Sequence, residues 1–161
     1  MHVTLNLIHV ASAFIWAGGA LFIGLFVSRA AQAAGPAAGP FMGALLTRTR
    51  LADAMLWASV LTVGSGAWLW GLDFGAGMPS GWRGVVLPIA ALAGISALTL
   101  GLARQRPTIL SMQALILEMA DNPPSEEQAA RMGALRAKMT GYGNVLAVLV
   151  AVAITGMALA V

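Results

Sequence analysis

Four apolar stretches, each long enough to cross a bilayer, constrain this chain more than any other feature. About 20 mostly apolar residues span the hydrocarbon core. Four segments meet that length: Val3 to Ser28, Leu51 to Trp70, Trp82 to Ala103 and Met139 to Val161. Charge is correspondingly scarce. Asp, Glu, Lys and Arg make up 9% of the 161 residues, against about 25% in a soluble domain. Too few charges exist to cover a water-facing surface, so lipid is the expected solvent. The expected fold is all-α, an integral membrane four-helix bundle forming one domain over residues 1–161. A helical extension over residues 104–138 joins the third and fourth spans. The N-terminus has no basic n-region and no cleavage pattern, so the first segment reads as a retained span.

The basic residues orient the bundle. Arg29, Arg48 and Arg50 follow the first span, and Arg104, Arg106, Arg131, Arg136 and Lys138 follow the third. The loop after the second span carries only Arg83. By the positive-inside rule the two long loops are cytoplasmic and both termini lie outside. The expected location is the bacterial cytoplasmic (inner) membrane. Trp68, Trp70, Phe74 and Trp82 gather around the short outer loop, as interfacial aromatics do. The net charge of +3 comes from these loops and is accompanied by no nucleic-acid-binding motif, so no nucleic acid is expected as partner. The expected partner is the lipid bilayer, with a homo-oligomer or a larger membrane complex open.

The loops carry their own signals. Residues 30–40, rich in Ala, Gly and Pro, read as a connector leading into a short helix before Leu51. Thr108 to Ala120 reads as a helix continuing the third span past Pro107, stopped by Asn122-Pro123-Pro124. Ser125-Glu126-Glu127-Gln128 has capping-box spacing and opens a helix toward the fourth span, with Gly141 and Gly143 as bend points. Gly143, Ala147, Ala151 and Thr155 recur every fourth residue on that span, and Gly94 and Gly101 share a face of the third. Small residues of this kind let membrane helices approach closely.

One residue stands out chemically. His9 lies deep in the first apolar segment, where an ionisable side chain is costly and marks a candidate functional site. His2, Asn6, His9, Ala13 and Trp16 fall on one helical face, with His9 about 10 Å deeper than His2. Depth matching places Thr62, Ser65 and Met157 at the level of His9, while Asp53 and Asn144 lie toward the other side. Three roles are open to His9. It can be a neutral histidine hydrogen-bonded to Thr62, Ser65 or a backbone carbonyl. It can ligate haem or copper, with His2 and Met157 as further metal donors and Trp16 and Arg83 at the cofactor. It can relay protons or touch a quinone. Two histidines on one helix leave room for at most one such site. With no cysteine in the chain, thiolate sites and cysteine nucleophiles are excluded. No nucleophile–base pair or phosphate loop supports hydrolase or transferase chemistry, so no catalytic residue is assigned.

His9, Trp16, Gly18, Gly19, Arg29, Gly66, Trp68, Gly81 and Trp82 form a pattern over most of the chain. It resembles small bacterial four-helix membrane proteins of the copper-resistance D (CopD) group and, more distantly, HemJ-type protoporphyrinogen oxidases. The first resemblance implies copper handling at the outer side or passage across the membrane. The second implies haem binding and porphyrinogen oxidation through a first-span histidine and a lysine near the start of the third span. This chain has Arg83 there, which can bind a propionate but cannot act as a base. A haem- or quinone-linked oxidoreductase and an accessory subunit of a larger complex are the alternative functions.

Overall fold

The computed structural model describes residues 1–119 and 123–160, and it is all-helical over them. Four long helices account for most of the chain: α1 (His2–Ala34), α3 (Leu51–Phe74), α4 (Arg83–Glu118) and α5 (Glu126–Leu159). A shorter α2 (Gly39–Thr47) follows a single tight turn at Gly35–Ala38. All four long helices have the length and hydropathy to cross a membrane. At 1.5 Å per residue, α3 is about 36 Å long and matches a bilayer core of about 30 Å. The other three are about 50 Å long by the same measure, so each overshoots α3.

Two helices run past the membrane spans expected from the sequence. The first span was expected from about Val3 to Ser28, and the helix that carries it continues to Ala34, because Arg29-Ala30-Ala31-Gln32-Ala33-Ala34 is a run of strong helix formers. The second was expected to end at Trp70 but reaches Phe74, where Gly75 caps it with a φ of 58°. The third span continues past Pro107 as expected. Proline lacks an N–H and crowds the preceding turn, and the widened turn at Gly101–Gln105 lies directly before it. α4 also runs unbroken through Pro88, and α5 runs unbroken through Gly141 and Gly143. Ser125 caps α5 in a two-way capping box with Gln128, as its spacing predicts. Ala120 and Asn122, where the third helix was expected to end, and Val161, the last residue of the fourth span, lie outside the described residues.

The helices pack as two close pairs, α1 with α3 and α4 with α5. The pairs meet around Trp16, with Ala17 from α1, Ala58 from α3, Ala97 from α4 and Leu146 and Val150 from α5. Alanines make the α4 face, and Ala90 and Ala97 are fully buried. Gly156 completes that contact, since a Cβ there would lie 2.7 Å from the Ala90 Cβ. The buried face of α5 is thus Leu146, Val150 and Gly156. The Gly143, Ala147, Ala151, Thr155 stripe lies beside it, and Ala151 and Thr155 line an open groove with Val86 and Ile89. Outward faces are strongly apolar: Phe14, Phe22, Trp57, Leu92 and Val148 are all well exposed. Contiguous apolar surface on this scale needs lipid or a partner over it.

A second core sits at the basic end of the bundle. Met112, Leu115 and Met132 are buried there, flanked by Leu46, Ile116, Met119, Leu135 and Met139. α2 is part of it. Gln113 donates its side-chain N–H to the Leu46 carbonyl, and Gly43 lies against Ile116. The first long loop is therefore a third component of the extension, and the sequence reading of an extension built from the third and fourth spans alone is incomplete.

Candidate functional site

The site is built where α1 crosses α3. Thr62, Ser65 and Gly66 are spaced i, i+3, i+4 and share one face of α3. That face meets the His9 face of α1. The His9 Nδ1 lies 2.8 Å from the Thr62 backbone carbonyl and 3.3 Å from Ser65 Oγ. A carbonyl oxygen only accepts, so Nδ1 carries the proton and donates. The proton on Ser65 Oγ is directed to the Leu61 carbonyl, which leaves that oxygen able to accept from His9. In the neutral form of the ring this arrangement leaves the lone pair on Nε2. Fixing the tautomer through Nδ1–H to a backbone carbonyl is how ligating histidines are commonly oriented.

Hydroxyls line the crossing beneath the ring. Thr62 Oγ1 lies 2.7 Å from the Ala58 carbonyl and 3.0 Å from Ser12 Oγ. Ser12 Oγ donates to the Ile8 carbonyl at 2.6 Å and reaches the His9 carbonyl at 3.2 Å. Ser12, Thr62 and Ser65 are all buried. Among the described residues no buried side-chain polar atom lacks a partner, so the buried hydroxyls of the crossing are all satisfied inside an apolar bundle. Gly66 makes room for it. A Cβ there would lie 2.8 Å from His9 Cε1 and 3.2 Å from Nδ1. Any side chain at position 66 would therefore displace the ring.

The other candidate residues are spread out. Trp16 is buried in the central core, two turns along α1 from His9. His2 is at the tip of α1, where its Nδ1 lies 3.5 Å from an Asp73 carboxylate oxygen. Both side chains are about half exposed, so this pair contributes at most about 1 kcal/mol. Arg83 opens α4 and is exposed. Met157 is half-buried beside Gly156, on the helix that pairs with α4. Of the two side-chain partners expected for His9, Thr62 contributes its carbonyl and Ser65 its hydroxyl. The described partners of His9 Nδ1 both come from α3, and Met157 is not one of them. Among the described residues no group of three or more His, Cys, Asp or Glu side chains is arranged to hold a metal ion.

Sequence reasoning missed Ser12 and the role of Gly66. Ser12 lies three residues from His9, so it borders the stripe instead of sitting on it. The polar and small face Thr62, Ser65, Gly66 was a usable signal, because its i, i+3, i+4 spacing marks a notch able to receive a ring.

No family model, curated protein or solved structure matches this chain.

Proposed function

We propose that this is an integral protein of the bacterial cytoplasmic membrane, related to the copper-resistance D group, with one ligand site in its outer half. The lone pair of His9 Nε2 is the donor, and copper or haem iron is the ligand. Eight basic residues at one end and one at the other support both termini lying outside. The observation that carries the site is the bond from His9 Nδ1–H to the Thr62 carbonyl. It fixes the tautomer and directs the ring's remaining donor capacity to Nε2.

Haem iron fits this single donor better than a bare ion does. Haem would bring four nitrogen ligands of its own and could be held by the single imidazole of His9. A bare copper ion needs further protein donors, and His2 is about 10 Å away along α1. Trp16 below and Arg83 at the outer end are the residues of this chain suited to an apolar contact and to a propionate. Purified protein from haem- and copper-replete cells is the test, by absorption spectrum and metal content. One haem or one copper per chain supports the proposal, and neither under both conditions contradicts it.

A second reading makes the chain an accessory subunit in which His9 is only a clamp between α1 and α3. The fit of the ring against Gly66 favours it, since that contact is complete without a ligand. A larger membrane protein co-purifying in fixed ratio with a ligand-free chain supports this reading.

A further inference from the structure

The basic end of the bundle carries a ring of charge that the ligand site does not use. Arg29 on α1, Arg48 and Arg50 before α3, Arg104 and Arg106 on α4, and Arg136 and Lys138 on α5 are all exposed. None of these seven side chains is in an ion pair among the described residues. Trp16, Ala58, Ala97 and Leu146 share one core and so define a level in the bundle. At 1.5 Å per residue from that level, Arg50, Arg104 and Lys138 lie about 11–12 Å toward the basic end. By the same measure Arg106 and Arg136 lie at about 14–15 Å and Arg29 at about 20 Å. With that level taken as the bilayer midplane, half of a bilayer core is about 15 Å, and every long helix or its first residue brings a cationic side chain within about 5 Å of one headgroup boundary. Among the described residues Asp53 is the only acid near that level. The remaining acids with a described position, Glu118, Glu126 and Glu127, stand farther out on the extension, and Asp73 is at the opposite end.

We propose that this ring docks anionic phospholipid headgroups, with the phosphate of a phosphatidylglycerol-type lipid as the bound group. Charge complementarity selects this occupant. Unpaired guanidinium groups bind phosphate oxygens through paired N–H donors, and juxtamembrane Lys and Arg each contribute measurably to binding of anionic lipid. The three-helix extension beyond the ring holds its own apolar core together, which leaves the basic side chains free to face the lipid.

Trp57 is a local reporter in a background where Trp68, Trp70 and Trp82 at the opposite end are replaced by Phe, with Trp16 buried in the core. Trp57 is exposed toward lipid and lies seven residues from Arg50, about 10 Å along α3. The full chain is reconstituted in bilayers that mix phosphatidylcholine carrying brominated acyl chains with unlabelled phosphatidylglycerol, and Trp fluorescence is followed. At low salt we expect phosphatidylglycerol to displace the quencher about ten-fold better than unlabelled phosphatidylcholine does, the effect of one to two surface charges. That preference falls to near one in the combined Arg48→Gln, Arg50→Gln, Arg104→Gln and Arg106→Gln variant. The matching four-lysine variant retains it. Equal displacement by the two lipids in the wild type overturns the proposal. So does a preference that survives the glutamine variant, one lost equally in the lysine variant, or one abolished by millimolar inorganic phosphate.

Discussion

His9 is at once a polar burden and a donor. An unpaired imidazole in an apolar bundle carries a desolvation cost, and the Thr62 carbonyl removes that cost on the Nδ1 side. Interhelical bonds of this kind average only about 0.6 kcal/mol, so packing matters as much as polarity. Gly66→Ala tests this directly. Its Cβ would lie 2.8 Å from His9 Cε1, and overpacking of this sort costs about 1–3 kcal/mol. Gly64→Ala, on the same helix, meets nothing within 4 Å and should be neutral or slightly stabilising. Thermal unfolding in detergent compares the two, and equal effects would remove Gly66 from the site. Thr62 and Ser65 were legible as partners because depth along two antiparallel helices can be counted from sequence. Met157 could be placed at the right depth in the same way, but depth does not say which side of a helix faces inward. The stripe of Gly143 and Ala147 fails for that reason too, since Leu146 and Val150 hold the buried face of α5.

Among the elements, α5 shows how local rules set a boundary. Ser125 accepts from the Gln128 backbone N–H at 3.2 Å, and the Gln128 side chain accepts from the Ser125 backbone N–H at 3.0 Å. Gln128 also donates to Glu118 on α4 at 3.2 Å, so the cap ties the tips of two helices together. Ser125→Ala should cost about 1 kcal/mol and selectively raise amide exchange in the first turns of α5, with protection around Val150 unchanged. Uniform loss of protection would contradict a local cap. This boundary was readable because its signals lie within four residues. The place of α2 was not. Its helical tendency is visible from Pro40 onward, but its docking rests on the bond from Gln113 to a backbone carbonyl 67 residues earlier. No local pattern announces such a contact.

At the scale of the molecule, composition alone makes lipid the solvent, and the four apolar helices agree with it. The excess length of α1, α4 and α5 over α3 places a second core beyond the basic ring. Orientation is testable without interference, because the chain has no native cysteine. With both termini outside, Ser125→Cys should react only after the membrane is opened, and Met78→Cys should react with an impermeant thiol reagent in intact cells. The reverse pattern would invert the bundle and put His9 in the inner half. One comparison decides whether His9 Nε2 is the donor of a single ligand site. Wild type and His9→Ala are purified from haem- and copper-replete cells, and their absorption spectra and metal content are measured per folded chain. About one haem or copper is expected in the wild type and none in a variant that still unfolds cooperatively. Equal occupancy in the two proteins, or an empty wild type, would contradict it.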